Sequence, residues 1–196
     1  MNSLENWFCA SRLWQNLTER RWLPWALEGV DLGEHVLEVG AGPGAATADL
    51  TRRARDVTSL EYSHDFCIRL QSKIDATKVV QGDASVLPFK SQTFTAAIAV
   101  LVLHHLRSND AQDRAFAEFF RVLKPGGVFV ALEIQDGWFT RIVHFRSTFV
   151  PISQDGLNSR LRDAGFSNIS VINRSGGIRI RAERIVGANA QEKAPR

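Results

Sequence analysis

The sequence predicts a single α/β domain whose mostly parallel sheet is covered by helices on both faces. From residue 35 to residue 132, short apolar β-like runs alternate with helical stretches, which is typical of a parallel sheet. The run from Phe94 to Leu101 is apolar enough for a strand buried on both faces. Near the end, the β-like runs 169–172 and 178–184 are separated only by a short link containing Gly176 and Gly177. A link this short makes a hairpin, so the last two strands should be antiparallel.

Composition places the chain among ordinary globular proteins. Its 196 residues fit one domain, and with 44% hydrophobic and 23% charged residues it does not resemble a disordered chain. The longest apolar run, Ala96 to Leu103, is too short to span a bilayer, and no signal peptide is evident. Cys9 and Cys67 lie far apart and form neither a metal-binding pair nor a disulfide framework. We therefore expect a cytoplasmic protein with free thiols.

The predicted elements of the alternating region follow from apolar runs and from helical spacing. Five strands are expected at His35–Val39, Val57–Leu60, Lys78–Val80, Phe94–Leu101 and Val128–Leu132. Helices are expected at Ala45–Arg55, Asp65–Ile74, Asn109–Leu123 and Ser153–Ala164. In the third helix, Asn109 can cap the start, and the run from Lys124 to Gly127 should end it. Together with the terminal hairpin, these elements predict seven strands.

The two ends of the chain differ in character from the middle. Residues 1–30 are rich in tryptophan and predict a helical segment, ended or kinked at Pro24, that could form a lid over a ligand site. We assign residues 31–186 to the α/β domain and residues 187–196 to a flexible tail. Residues 160–196 carry a net charge of +5, which could bind nucleic acid. A solvated face of the terminal hairpin is the simpler interpretation.

The strongest motif is the stretch Val36-Leu-Glu-Val-Gly-Ala-Gly-Pro-Gly44. A buried strand delivers the chain to a turn in which glycines allow the backbone to approach a ligand at the start of a helix. By itself the motif does not identify the ligand. The spacing of Gly40, Gly42 and Ala45 also loosely fits the fingerprint of dinucleotide-binding domains.

Two acidic residues at the ends of later strands indicate what kind of ligand the glycine turn binds. Glu61 ends the second strand, 21 positions after Gly40, where a carboxylate can accept hydrogen bonds from the ribose hydroxyls of an adenosine. Asp83, in Gly82-Asp83-Ala84, follows the third strand and could accept a hydrogen bond from the adenine amine. Considered alone, each has a simpler interpretation: Glu61 as a surface glutamate and Asp83 as a turn former.

Taken together, five motifs resemble the class I S-adenosylmethionine (SAM) dependent methyltransferases, in particular the methyltransferase type 11 branch that includes ubiquinone and menaquinone methyltransferase-like proteins. The motifs are Val36–Gly44, Glu61, Gly82-Asp83-Ala84 with Leu87-Pro88-Phe89, Val100–Leu106 and Leu123–Gly127. The resemblance covers roughly residues 33 to 135. It implies a Rossmann-like three-layer sandwich with a seven-stranded sheet and an antiparallel last strand.

The resemblance also implies which residues bind SAM. The methionine end would lie against Gly40, Gly42 and Gly44, with Glu38 holding the amino group. The adenosine would be bound by Glu61 at the ribose, Tyr62 against the adenine ring, Asp83 at the adenine amine and the backbone of Ala84. The end of the fourth strand, including Val100 and Leu101, would pass beneath the sulfonium.

Catalysis need not depend on one residue, because the sulfonium methyl is already activated and the protein mainly has to align the acceptor. His104, His105 and His144 are weak candidates for a general base, and the resemblance favours a structural or cofactor-positioning role for the first two. The stretch with His144 also holds Trp138, Phe139, Phe145 and Phe149, which suit a small, partly hydrophobic acceptor or simply pack on the sheet. No metal site is predicted.

Three alternatives remain at this point. An RNA or other macromolecular acceptor is suggested only by the basic end of the chain. A non-catalytic SAM-binding partner protein is possible, although the presence of Glu61 and Asp83 argues against a decayed cofactor site. A nicotinamide-dependent oxidoreductase would use the same glycine turn, but the predicted terminal hairpin disfavours it. The acceptor and the oligomeric state are not predicted.

Overall fold

The computed structural model describes Ser11 and residues 16–185, and these form one seven-stranded sheet. The strands are β1 His35–Val39, β2 Asp56–Glu61, β3 Thr77–Gln81, β4 Phe94–Val100, β5 Leu123–Ile134, β6 Ser167–Arg174 and β7 Gly177–Glu183. Their order across the sheet is β3-β2-β1-β4-β5-β7-β6. The first five strands pair in parallel, and β7 lies antiparallel between β5 and β6. The predicted strand number and the antiparallel last strand are confirmed.

Helices cover both faces of this sheet, which makes the three-layer sandwich that was expected. They are α1 Leu23–Ala26, α2 Thr47–Arg53, α3 His64–Lys73, α4 Asn109–Val122, α5 Trp138–Val143 and α6 Leu157–Asp163. One apolar core lies between the sheet and the face that carries Phe116 and Phe119 of α4 and Leu157 and Leu161 of α6. A second core on the opposite face contains Leu23 of α1 and other buried side chains of the sheet and α2.

The ends of several elements differ from the predictions because local geometry decides them. Ser108, not Asn109, caps α4, since its hydroxyl accepts a hydrogen bond from the backbone N–H of Ala111 at 3.1 Å. The helix predicted from Ser153 begins only at Leu157, after Gly156 in a left-handed conformation with φ of +75°. Strand β5 begins at Leu123 and includes the predicted stop, with an irregular register opposite Phe94.

The described part of the tryptophan-rich segment packs on the second core. Residues Thr18–Trp22 form one turn of π-helix, closed by a hydrogen bond from the N–H of Leu23 to the carbonyl of Thr18. Pro24 lacks an N–H and lies in the first turn of α1, so the irregular turn falls just before the proline. Trp22 and Trp25 pack against the core. Residues 1–10 and 12–15, which are nearly half of the predicted lid, lie outside the described residues.

The basic residues near the end of the chain are largely used inside the fold. Arg184 is buried and donates hydrogen bonds to the carbonyls of Phe120, Arg121 and Leu123. Arg179 donates to the carbonyl of Trp25, and Arg160 pairs with Asp113. Arg179 and Arg184 fix the terminal hairpin against α1 and α4, and Arg160 fixes α6 against α4. These three arginines therefore do not belong to the solvated face that was the simpler interpretation of the basic end. Among residues 16–185, every helix is too short or too polar to cross a bilayer.

Candidate functional site

A cleft of about 750 Å³ opens at the carboxyl ends of β1, β2 and β4. This is the position at which parallel sheets of this type bind ligands. Nine of the ten residues predicted to bind SAM line the cleft, although they come from four separate parts of the chain. These are Glu38, Gly40, Gly42, Glu61, Tyr62, Asp83, Ala84, Val100 and Leu101. The sequence therefore predicted residues that the fold brings together in one place.

Gly44, the tenth predicted residue, does not line the cleft. A Cβ atom there would meet Cδ1 of Leu70 at 2.8 Å and Cδ1 of Ile74 at 3.3 Å. The backbone at Gly44 also has a φ of +92°. This glycine therefore allows the loop to pack against α3, and the structure gives it no position against the methionine end of a ligand.

The glycine turn is held by hydrogen bonds to the neighbouring strand. The N–H of Gly40 donates to the carbonyl of Leu60 at 2.8 Å, and Gly40 itself has a φ of +73°. A Cβ atom on Gly40 would overlap Val102, whereas one on Gly42 would meet nothing within 4 Å. Gly40 is thus required for close packing beneath the loop, and Gly42 leaves open space at the cleft.

Glu61 connects this turn to the end of β2. Its side chain is 7% exposed, and its two oxygens accept hydrogen bonds from the N–H groups of Gly42 and Ser63, each at 2.8 Å. A carboxylate oxygen has two lone pairs, so these bonds leave acceptor capacity for a ribose hydroxyl. The backbone donors also fix the orientation of the carboxylate before any ligand arrives.

Glu38 lies buried at the floor of the cleft with a hydroxyl network around it. Its Oε2 atom accepts hydrogen bonds from Thr47 at 2.7 Å and from Ser59 at 2.6 Å. Burial raises the pKa of this carboxyl to about 7, in spite of the two hydroxyl donors, and the negative charge of Glu61 adds to the effect. Glu38 is therefore only partly ionised near neutral pH.

We predict that this titration makes cofactor binding depend on pH. A ligand ammonium group favours ionised Glu38, so the affinity for S-adenosylhomocysteine should increase by roughly fivefold to tenfold between about pH 6 and about pH 7.5. Calorimetric titrations at both pH values, in two buffers of different ionisation enthalpy, should also detect release of a proton on binding. In Glu38→Gln the affinity should be lower and should not vary with pH over this range. A wild-type affinity that does not vary with pH would contradict the placement of Glu38 at the amino group.

The adenine end of the cleft is more exposed. Tyr62 is 66% exposed at the cleft, and its ring is accessible to a stacking partner. One oxygen of Asp83 accepts hydrogen bonds from the N–H and the hydroxyl of Ser85, at 2.8 and 2.7 Å. Asp83 is therefore a turn former in this structure, and its position at the cleft also allows the predicted contact with an adenine amine.

The floor at the end of β4 is fixed by Glu133, which the sequence reasoning did not identify. Glu133 is fully buried, and one of its oxygens accepts hydrogen bonds from the N–H groups of Val102 and Leu103. Leu101, just before them, has a left-handed backbone with a φ of +56°. The usable signal was a carboxylate directly after the apolar run Val128–Leu132 at the same edge of the sheet. Glu133 holds this strained turn beneath the predicted sulfonium position.

The three candidate histidines lie together at one end of the cleft, and His105 lines it. Nδ1 of His104 is 2.5 Å from Oε2 of Glu133, and Nδ1 of His144 is 2.7 Å from the carbonyl of Thr140. Burial lowers the pKa of His105 to about 2, with the neighbouring His104 and His144 adding to the effect. A ring with so low a pKa takes up a proton poorly, so His105 is a weak general base at neutral pH.

Three of the four aromatic residues expected to shape the acceptor pocket are not part of the cleft lining, namely Trp138, Phe145 and Phe149. Trp138 and Phe145 are 76% and 67% exposed. Phe149 stacks on His144 with ring centroids 4.6 Å apart. The side chain of Phe139 lies outside the described residues. The cleft instead continues past His105 along the start of α4 and the segment after α5, where it is lined by Leu106, Arg107, Ser108, Ala111, Arg114, Ser147 and Thr148.

Residues 37–131 match a protein family described as a methyltransferase domain. The chain is 28% identical over 188 residues to the demethylmenaquinone methyltransferase of Renibacterium salmoninarum, covering 81% of this chain and 78% of that protein. This match extends through the strands that carry the cleft. Residues 37–131 therefore form a SAM-dependent methyltransferase domain. SAM is accordingly the cofactor of this domain. That Glu38, Glu61 and the glycine turn hold it stays a prediction, which their position in the cleft allows.

A second relative and one solved structure are also similar to this chain. The chain is 37% identical over 122 residues to the demethylmenaquinone methyltransferase of Thermobifida fusca, which covers 59% of this chain but only 50% of that relative. Among solved structures, a SAM-dependent methyltransferase of Thermotoga maritima, described as a possible histamine N-methyltransferase, superposes with a TM-score of 0.74 at 20% identity. That superposition covers 92% of this chain and 93% of the other, and it supports the fold.

Proposed function

We propose that the protein transfers the methyl group of SAM to a small, largely apolar acceptor that carries an oxygen substituent. The observation that supports this most directly is the continuity of the cleft. It runs from Glu61 and Asp83, past the turn at Leu101, to a second end at His105 and Ser147. A cofactor seated at the first end would place its sulfonium near the turn, with space for an acceptor beyond it.

Ser147 supports the assignment of the second end to an acceptor. Among the described residues, its hydroxyl is the buried side-chain polar atom without a hydrogen-bond partner. An unpaired buried hydroxyl is unfavourable, so a group that pairs with it on binding contributes both affinity and orientation. Ser147 lines the cleft, and a hydroxyl or carbonyl oxygen of the acceptor would satisfy it.

The chemistry of the acceptor end favours a quinol-type compound. The lining combines apolar Leu106 and Ala111 with the positive charges of Arg107 and Arg114. This mixture suits an apolar ring that bears ionisable oxygens. Relatives named demethylmenaquinone methyltransferase support the same acceptor class. We therefore favour a reduced naphthoquinone as the acceptor of this protein.

In this reaction the protein mainly has to bind and align the two substrates. SAM supplies an activated methyl group that can be displaced in a single in-line step. The glycine turn, Glu38 and Glu61 hold the cofactor, and Ser147 aligns the acceptor from the other side. Thr18 also lines the cleft, which supports the proposal that residues 1–30 form a lid that excludes water.

Methyl transfer from isotopically labelled SAM to a short-chain demethylmenaquinone analogue, reduced to the quinol, tests the proposal. We expect turnover, and we expect Ser147→Ala to raise the KM for the quinol several-fold, since a neutral hydrogen bond contributes about 1 kcal/mol. The same variant should bind S-adenosylhomocysteine as the wild type does. Ser153→Ala, an exposed serine outside the cleft, is the matched control.

Other outcomes would identify the alternatives. Tight S-adenosylhomocysteine binding without transfer to any quinol or other small apolar acceptor would favour the non-catalytic SAM-binding protein. Affinity for RNA that falls steeply with salt would favour a macromolecular acceptor. If the quinol is inactive but a fatty acid is methylated, the positive charges of Arg107 and Arg114 would be reassigned to a carboxylate.

A further inference from the structure

Three histidine rings converge beside the acceptor end of the cleft, and we propose that they form a binding site for one divalent transition-metal ion of the zinc type. His104 and His105 come from the turn after β4, and His144 follows the last turn of α5. One nitrogen from each ring lies within 4.8 Å of the other two. The ring centroids are 4.1 Å apart for His104 and His105, and 5.0 and 5.4 Å from each of these to His144.

Two of the rings are oriented in the manner of metal ligands. Nδ1 of His104 pairs with the buried carboxylate of Glu133 at 2.5 Å, and Nδ1 of His144 donates to the carbonyl of Thr140 at 2.7 Å. A histidine that binds a metal commonly donates its other ring N–H to a carboxylate or a backbone carbonyl, which fixes the tautomer. In both rings this arrangement assigns the proton to Nδ1 and the metal-binding lone pair to Nε2.

Glu133 makes the arrangement rigid and supplies compensating charge. One of its oxygens faces His104, and the other accepts the N–H groups of Val102 and Leu103, so the carboxylate is fixed on both sides. Its negative charge lies one ring away from the proposed ion. A cation bound to His104 would also interact favourably with this fully buried carboxylate.

The donor set selects the metal. Three imidazole nitrogens suit zinc and neighbouring transition metals, whereas calcium and magnesium require oxygen ligands. Zinc binds histidine nitrogen at about 2.0–2.1 Å, so the nitrogens of a tetrahedral site are roughly 3.4 Å apart. The three nitrogens here lie within 4.8 Å of one another. The widest pair must therefore approach by about 1.4 Å when the ion binds.

The position of the site beside the cleft gives it a place for a fourth ligand. A three-histidine zinc site with catalytic character keeps its fourth position for water or substrate. His105 lines the cleft together with Ser147 and Thr148, so the proposed ion borders the space assigned to the acceptor. The sequence did not predict this metal site. An adjacent histidine pair and a third histidine 39 positions after it form no recognisable metal-binding spacing.

Cobalt(II) binding by the full chain, without a polyhistidine tag, tests the proposal. We expect one Co²⁺ per chain, with the intense visible absorption of a tetrahedral site, and we expect added Zn²⁺ to displace it. His104→Ala and His144→Ala should each weaken Co²⁺ binding by more than about tenfold. His35→Ala is the matched control, because His35 lies at the start of β1 and pairs with Asp56, away from the cluster.

Several results would overturn the proposal. These are no Co²⁺ uptake by the wild-type chain at micromolar concentrations, a weak octahedral spectrum, or uptake that both cluster variants retain. Circular dichroism and S-adenosylhomocysteine binding verify that each variant is folded. Because the wild-type spectrum alone distinguishes a nitrogen-rich tetrahedral site from loose surface binding, the test remains decisive even if a variant fails to fold. Failure of methyl transfer to the quinol would leave this metal-binding result unaffected.

Discussion

Replacing Glu61 with alanine is expected to lower the affinity for SAM by at least about a hundredfold. The wild-type carboxylate accepts hydrogen bonds from the N–H groups of Gly42 and Ser63 and would accept the ribose hydroxyls as well. Hydrogen bonds to a charged group contribute about 1.5–3 kcal/mol each, and two lost ribose contacts therefore correspond to 3 kcal/mol or more. The variant also releases the glycine turn from the end of β2, which adds to the loss.

Calorimetric titration with S-adenosylhomocysteine measures this effect, and two further variants identify its cause. Glu61→Gln keeps the size of the side chain but turns an NH₂ group toward a backbone donor, so its affinity should lie between those of the wild type and Glu61→Ala. Glu34→Ala removes an exposed carboxylate at the start of β1 and should leave binding unchanged. Near-wild-type affinity in a folded Glu61→Ala protein would show that the ribose is held elsewhere.

The residues that line the first end of the cleft could be predicted from the sequence because they follow the ends of predicted strands. Strands that run in parallel present their carboxyl ends at one edge of the sheet. Any residue at the end of a correctly predicted parallel strand therefore lies near the others. Glu38, Gly40 and Glu61 met this condition, and small errors in strand boundaries did not move them away from the edge. The order of the motifs along the chain was sufficient to place them.

Other features depend on distances that only the fold determines. His104 and His144 are 40 positions apart in sequence, yet their rings are 5.0 Å apart, because α5 returns over the end of β4. In the sequence, Glu133 is an ordinary glutamate at the end of a strand. Only the structure shows that the N–H of Val102 donates a hydrogen bond to it. No periodicity encodes these contacts, since they depend on the path of the segment after β5.

The basic end of the chain illustrates the opposite error. Counting charges suggested a solvated face or, less simply, a surface for nucleic acid, whereas Arg184 is buried and donates hydrogen bonds to carbonyl groups at the end of α4. A guanidinium has five N–H donors in a fixed arrangement, so it can satisfy several backbone carbonyls at once. Composition cannot distinguish an arginine used in this way from one that faces solvent.

Replacing Gly40 with alanine should destabilise the fold more than the same change at other glycines with positive φ. Gly40 has a φ of +73°, and a Cβ atom there would overlap the side chain of Val102. A non-glycine residue in the left-handed region costs about 1–2 kcal/mol, and forced overlap in a packed region adds roughly 1–3 kcal/mol. The unfolding free energy in urea should therefore fall by about 2–5 kcal/mol, with SAM binding lost as the turn shifts.

Two other glycines separate the contributions of strain, overlap and ligand contact. Gly29 has a φ of +68° and Gly42 a φ of +53°, and a Cβ atom at either position meets nothing within 4 Å. Alanine at Gly29 should lower stability by only about 1–2 kcal/mol and leave S-adenosylhomocysteine binding intact. Alanine at Gly42 should lower stability by the same amount but weaken binding, because its methyl group enters the cleft. If Gly40→Ala is no less stable than Gly29→Ala, the contact between the glycine turn and Val102 does not fix the floor of the cleft.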